Sequence, residues 1–258
     1  METHQTYGKE LEDRLRLDNF PIGLKLLNDK EDIPDTARRP LKDMGHHLSL
    51  CQAFEKARRD GETIAMLKED NWCFEPLVGY GLGKPPDYFL EGHNRYPHDV
   101  KSLEAGSNYA EEFPKLDPGQ FVGLVFAPLT KANFNVDISI IYCNAEQLSL
   151  LLLGREYEDG RNLKLSLSSH AACVYAAVPA IKNGRCQVAI PCRGDHYSAM
   201  AQSDEIIFSI PDNKLESVME GLRHVAKTGS KLPRSYRTNP EYPLSDSYRK
   251  IAEMMGYL

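Results

Sequence analysis

Residues 120–154, QFVGLVFAPLTKANFNVDISIIYCNAEQLSLLLLG, decide the fold. They hold two apolar runs of strand length, QFVGLVFAPL and NVDISIIYC, with a helix directly behind them. The second run alternates through Val136, Ile138, Ile140 and Tyr142, which is the period of a strand. Asn144-x-x-Gln147 then supplies a capping box, and Gly154 reads as the helix stop. Strand pairs followed by helices, without regular βαβ alternation, predict an α+β protein: a mixed, largely antiparallel sheet with helices packed against it.

The rest of the chain extends this pattern. A helix is expected over 7–17, a strand over 21–27 and loop over 28–43. Ser49-x-x-Gln52 caps a helix that carries Leu50, Phe54 and Ala57 on one face and closes on Gly61. A short strand over 63–67 leads to Trp72, which reads as a core residue, and Cys73. The following FEPLVGYGLGKPPDYF is rich in Gly and Pro and reads as turns. Its Gly79-x-Gly81-x-Gly83 has no strand leading in and no clear helix leaving, so it does not match a phosphate-binding fingerprint. Helices are expected over 99–113, from Ser169 to Pro179, after Asp212 as N-cap, and over 245–255. Two further strands, 187–190 and 206–210, flank the segment Pro191-Cys192-Arg193-Gly194-Asp195-His196, which reads as a tight loop. One α+β domain spanning 1–258 is expected, with the Pro/Gly-rich region 80–120 as the only internal boundary to consider.

Composition narrows the function classes. The 258 residues are 41% hydrophobic and 26% charged, which describes a folded chain rather than a disordered one. A net charge of −6 argues against a general nucleic-acid binder. No apolar run approaches the ~18 residues a membrane span needs, and residues 148–153 are only part of a helix. The charged start METHQTYGKELEDRLRL carries no secretion signal, so the cytoplasm is the expected location.

Six cysteines are present: Cys51, Cys73, Cys143, Cys173, Cys186 and Cys192. In a reducing compartment they do not form a disulfide framework, and no C-x-x-C pair occurs among them. Each is a small buried hydrophobe or a member of a thiol or metal site that folding must assemble. Cys51 stands second in its expected helix and Cys173 near the start of another, where backbone N–H groups lower a thiol pKa. Cys73 and Cys192 fall at strand ends or turns, Cys143 at a strand end, and Cys186 before a strand. Backbone amides at such termini are free to hydrogen-bond sulfur.

Four segments together carry a resemblance: SLCQAFEKARRDGETIAMLKEDNWC, VFAPLTKANFNVDISIIYCNAEQLSLLL, AACVYAAVPAIKNGRCQVAIPCRGDHY and SDEIIFSIPDNKLESVMEGL. In this order the chain resembles the prokaryotic "domain of unknown function 169" family from about Pro21 to Lys227. The resemblance implies signature cysteines at Cys51, Cys73, Cys173 and Cys192. Its last segment is of a Pro-Cys-x-Gly-Asp-Arg type, and this chain departs from it with His196, a titratable group in place of a permanent cation.

Four thiolates from separate elements suit a 4Fe–4S cluster or zinc. The cluster is preferred, because zinc sites more often show paired knuckles. With only three cysteines as ligands, one position would be free for a substrate, with Asp195 or His196 beside it. The expected function is a 4Fe–4S protein with a redox or electron-transfer role, its partner a redox protein or a small-molecule substrate. A zinc-stabilised module for a small ligand is the first alternative. A thiol enzyme with Cys192 as nucleophile and His196 or Asp195 as candidate catalytic partners is the second. His46, His47, His93, His98 and His170 lie near the signature segments, and His170 is three residues before Cys173. Lys227, Lys231, Arg234 and Arg237, with Tyr236 among them, form a local basic tail that reads as a solvated loop.

Overall fold

The computed structural model describes residues 2–230, 232 and 245–256. A helix, α1 (Glu2–Leu15), leads into the strand β1 (Ile22–Leu27). Helix α2 (Leu50–Glu55) follows, runs on as one wide turn over Lys56–Asp60, and precedes β2 (Ile64–Leu67). Three helices come next: α3 (Phe74–Gly79), α4 (Asp87–Leu90) and α5 (Leu103–Glu112). Then come β3 (Gly123–Pro128), β4 (Ile138–Cys143), α6 (Ala145–Glu156) and α7 (Ala172–Asn183). The described chain closes with β5 (Gln187–Ala189), α8 (Arg193–Ser198), β6 (Ile206–Pro211), α9 (Asp212–Lys227) and α10 (Asp246–Met254).

The strands form one sheet in the order β2-β3-β1-β4-β6-β5, and every pairing between them is antiparallel. The α+β class expected from residues 120–154 is therefore the class observed. Central β1 sets the register, with Leu24 opposite Phe126 on one side and Ile138 on the other. Helices cover both faces of the sheet. Leu24, Phe126, Ile138, Ile140 and Tyr142 point into a core shared with α2 and α7. Leu27, Val125, Ile141, Phe208 and Ile210 point to the opposite core, under α1, α6 and α9. Burial on both faces explains why β2, β3 and β4 are apolar nearly throughout.

Both capping boxes read from sequence are formed, Ser49 with Gln52 and Asn144 with Gln147. Gly61 adopts the left-handed conformation, at φ 72°, that closes the α2 segment. Five local expectations are corrected. The Gly/Pro-rich stretch contains α3, because Pro76 sits in its first turn, where a missing N–H removes no helical bond. Helix α7 passes through Pro179 to Asn183, since eight of its residues are buried and packing outweighs the ~3 kcal/mol cost of an internal proline. Gly154 does not stop α6 but lies within it, at the crossing with α9. Pro211, not Asp212, is the N-cap of α9, and Asp212 instead accepts a 2.7 Å hydrogen bond from His4. Trp72 lies on the surface, 60% exposed, with its Nε1–H donating to Gln52.

The other glycines near α3 also serve packing. A side chain at Gly79 would strike Val174 of α7 at 2.4 Å, so Gly79 lets α3 lie against the start of α7. Gly81 has φ +67° and faces the Asp117 carbonyl. Of the basic tail, Lys227 closes α9, while Lys231, Arg234, Tyr236 and Arg237 lie outside the described residues.

Candidate metal centre

Cys51, Cys73, Cys173 and Cys192 all stand at helix starts. Cys51 is the second residue of α2 and Cys173 the second of α7. Cys73 and Cys192 are the N-caps of α3 and α8, so the positions read from sequence as turns are the first residues of short helices. A helix start offers backbone N–H groups with no partner inside the helix. Two of those groups act on sulfur: the Ala172 N–H favours the thiolate of Cys192, and the Glu75 N–H that of Cys73. Ala171, just before α7, holds a left-handed conformation at φ 47°, which is strained for a residue with a Cβ. That bend sets where the Ala172 N–H points.

The tightest group is Cys51, Cys192 and Asp195, whose ligating atoms all lie within 4.8 Å of one another and all of which are buried. The Cys51 thiol lies against those of Cys173 and Cys192, and each of the two shifts its proton affinity. Cys73 stands further out, outside the 4.8 Å group, but near enough for its charge to act on Cys173. Gly194 lies beside the Cys51–Cys192 pair: a Cβ there would sit in ordinary contact with the sulfurs of Cys192 at 3.6 Å and Cys51 at 3.8 Å. Cys143 and Cys186 belong to the opposite core.

Asp195 organises the spot. It is fully buried, and its Oδ2 accepts from both the backbone N–H and the Sγ–H of Cys192, each at 3.1 Å. Its Oδ1 accepts the Tyr142 phenol at 3.2 Å. The Tyr142 ring is covered by the Arg58 guanidinium at 4.2 Å, and Arg58 is 1% exposed. Arg58 is held in turn by Glu205 and the Ala199 carbonyl, both at 2.9 Å. A permanent cation thus lies one ring away from a buried carboxylate and its thiol.

The thiols hold their protons firmly. The contact with Cys173 pushes Cys51 well above the ordinary thiol range, with burial and the nearby charges of Cys173 and Asp195 adding to it, while the contact with Cys192 opposes them. The lowered pKa expected from its helix start is therefore overturned by crowding. The contact with Cys51 raises Cys192, as do burial and Asp195. Cys173 is pulled down by the contact with Cys51, but burial and the charges of Asp195, Cys192 and Cys73 leave it at about 12. Burial and the charge of Glu75 bring Cys73 to about 12.

His196 turns its Nδ1 to the Ala201 carbonyl at 3.0 Å, while Cys192 takes Asp195 as its partner. His170 lies before the first turn of α7, its ring 6.1 Å from that of Tyr109. His46 bonds the Met44 carbonyl, and His93 pairs with Glu91. Sequence reading named Asp195 but missed Tyr142 and Arg58. A signal for part of this was available, since Cys192-x-x-Asp195 has the spacing of a capping box with sulfur in place of a hydroxyl.

The model of DUF169, described as "Uncharacterised ArCR", matches residues 10–221. The chain belongs to the DUF169 family. Among curated proteins it is similar to the uncharacterised protein MJ0308 of Methanocaldococcus jannaschii, at 22% identity over 221 residues, covering 84% of this chain and 92% of the relative. No solved structure matches it. This DUF169 member carries a buried Cys/Cys/Asp group with the composition and closeness of a metal site. Among its described residues, no helix is long and apolar enough to cross a membrane.

Proposed function

We propose that this DUF169 protein is a cytoplasmic metalloprotein that holds a 4Fe–4S cluster on Cys51, Cys73, Cys173 and Cys192, and that its task is electron transfer or an associated reduction. The observation that carries this reading is the arrangement of four cysteines at four helix starts, with backbone N–H groups that favour the thiolate at Cys73 and Cys192. Such amides are the groups that tune iron–sulfur centres. The donor count points the same way. Four thiols and Asp195 make five anionic donors, one more than a tetrahedral ion takes, whereas a cubane takes four thiolates and leaves Asp195 as a hydrogen-bond partner of Cys192. The cluster would supply one-electron chemistry, to a redox protein or a small substrate. The chain's own contribution would be to exclude water and to offset the thiolate charge with N–H dipoles and Arg58.

One observation favours a second reading. Thiolates around a single zinc ion stand about 3.8 Å apart, as bond lengths of ~2.3 Å and tetrahedral angles require. The mutual 4.8 Å limit on Cys51, Cys192 and Asp195 is close to that spacing. Zinc held by Cys51, Cys173, Cys192 and Asp195 would be a structural site in a ligand-binding module.

Anaerobic expression, followed by iron, sulfide and zinc analysis beside the visible spectrum, separates the two. About four iron and four sulfide per chain, lost in Cys51→Ser, Cys73→Ser and Cys192→Ser alike, is the expected result. Stoichiometric zinc that survives Cys73→Ser but not Asp195→Ala would establish the second reading. Protein without iron or zinc would sink both.

A further inference from the structure

Away from the candidate metal centre, the end of α6, the segment after it, the start of β5 and the first turns of α9 enclose a cleft of about 600 Å³. Its lining holds five basic side chains, Arg155, Arg161, Lys164, Arg185 and Lys214, against two acidic ones, Glu158 and Asp159. Both acids are already engaged. Asp159 accepts both terminal nitrogens of Arg155, at 2.9 and 3.1 Å, and also the Arg161 backbone N–H. Glu158 accepts from Lys214 at 3.1 Å and from Ser217 at 2.8 Å. Arg161, Lys164 and Arg185 are exposed, and among the described residues they form no ion pair. Lys164 and Arg185 also line an adjoining hollow of about 330 Å³, together with Asn183 and Gln187. Three cations outside any ion pair among the described residues thus line one concavity in a chain whose net charge is −6, although Arg161 also acts on Asp159.

We infer that this cleft binds a small molecule through a diphosphate or triphosphate group, with Arg161, Lys164 and Arg185 as its charge partners. Guanidinium forks pair bidentately with phosphate oxygens, and lysine adds a point charge. The volume falls within the ~300–1,000 Å³ of small-molecule sites, and concavity suits a compact polyanion better than the flat face of an acidic protein does. The cleft is separate from the metal centre. Helix α7 carries Cys173 in its first turn and ends just before Arg185, and its 12 residues span roughly 18 Å. Cys186 lines the cleft, but the ligand would not touch Cys51, Cys73, Cys173 or Cys192, so this inference stands whether or not the metal reading does.

Calorimetric titration of the full chain, both as purified and after metal removal, tests it. Pyrophosphate, ATP, AMP and sulfate would be the probes. Pyrophosphate and ATP are expected to bind both preparations, AMP and sulfate at least about tenfold more weakly, because each lost charged contact is worth ~1.5–3 kcal/mol. ATP tighter than pyrophosphate would assign the remaining volume to a nucleoside; equal affinity would assign the site to the polyphosphate alone. Arg161→Gln, Lys164→Gln and Arg185→Gln are each expected to weaken pyrophosphate about tenfold or more, while Lys42→Gln, on an exposed turn elsewhere, leaves it unchanged. All three cleft residues are exposed, so their variants fold, which thermal melts would verify. Sulfate binding as tightly as pyrophosphate, equal loss in Lys42→Gln, or no saturable heat at millimolar pyrophosphate would overturn the inference.

Discussion

Asp195 Oδ2 lies 3.1 Å from Cys192 Sγ, and the same oxygen takes the Cys192 backbone N–H. One carboxylate oxygen therefore starts helix α8 and holds the thiol that faces Cys51. Replacing it with alanine removes both bonds and strands the buried Tyr142 hydroxyl. Asp195→Ala is expected to destabilise the metal-free protein by about 2–4 kcal/mol, and Asp195→Asn by about half as much, because the amide keeps one acceptor. Urea unfolding measures both. A loss below ~0.5 kcal/mol in the alanine variant would mean that the carboxylate does not support the site.

Arg58 is the next member of that chain of contacts. Its removal leaves Glu205, only 9% exposed, without its closest cation. Arg58→Met is expected to cost about 3–5 kcal/mol, and Arg58→Met/Glu205→Gln less than Arg58→Met alone, since the neutral amide removes the unpaired buried charge. Tyr142→Phe, which loses one hydrogen bond, is expected to cost about 1 kcal/mol. Additive losses in the double variant would rule out the coupling.

The crossing of α6 and α9 depends on two glycines. A Cβ at Gly221 would sit 2.0 Å from the Gly154 carbonyl oxygen, an impossible contact with backbone. Gly221→Ala raises helix propensity by ~1 kcal/mol, yet the forced separation of the helices costs more. The variant is expected to lose about 1–3 kcal/mol net and to melt at a lower temperature. Unchanged melting would show that the helices slide apart freely.

On the surface, the hydrogen bond from Arg223 holds the Glu10 carboxyl below its ordinary value of 4.5, with Arg14 contributing against the effect of partial burial. A depressed native pKa stabilises the fold once the unfolded chain's carboxyl is ionised. The contribution is present above about pH 4.5 and is lost as pH falls through the lowered native value. Glu10→Gln is expected to be less stable than the parent at pH 7, with the gap closing progressively in acid. A pH-independent difference would remove ionisation as its cause.

Protons compete with metal at the thiols. Cys73 and Cys173 stand at about 12 without metal, chiefly through burial and neighbouring negative charge acting against the Cys51 contact at Cys173. Loading at neutral pH must therefore displace protons. Apparent metal affinity is expected to rise with pH between 6 and 8, by about tenfold per unit for each proton released. Chelator competition across that range, with proton release followed in weak buffer, checks the sign. An affinity flat with pH would mean that the thiols are already deprotonated.

Much of the fold is legible locally. The boxes at Ser49 and Asn144 are interactions over three residues, and β1, β4 and β6 announce themselves by apolar runs of strand length. Misreadings arose where a local rule met a tertiary contact. Gly154 carries the chemistry of a stop signal, but its lack of a side chain is used to admit α9. Pro179 should end α7, but the buried residues on either side carry the helix past it. Gly79 resembles a turn residue, yet it makes room for Val174.

The sequence by itself determined the α+β class and the helix start at Cys51, because these rest on periodicity and capping chemistry. The four candidate cysteines came from the family resemblance, and the helix expected from Ser169 begins at Ala172. Only the tertiary structure decided that Cys51, Cys173, Cys192 and Asp195 crowd into one buried spot, with Tyr142 and Arg58 behind them. Those residues come from separate elements, and what brings them together is the antiparallel order of the sheet, which packs α2 and α7 onto the same face. That proximity also reversed the protonation preference of Cys51. A helix start favours a thiolate locally, but burial and the neighbouring Cys173 and Asp195 favour the proton on Cys51 until a metal displaces it.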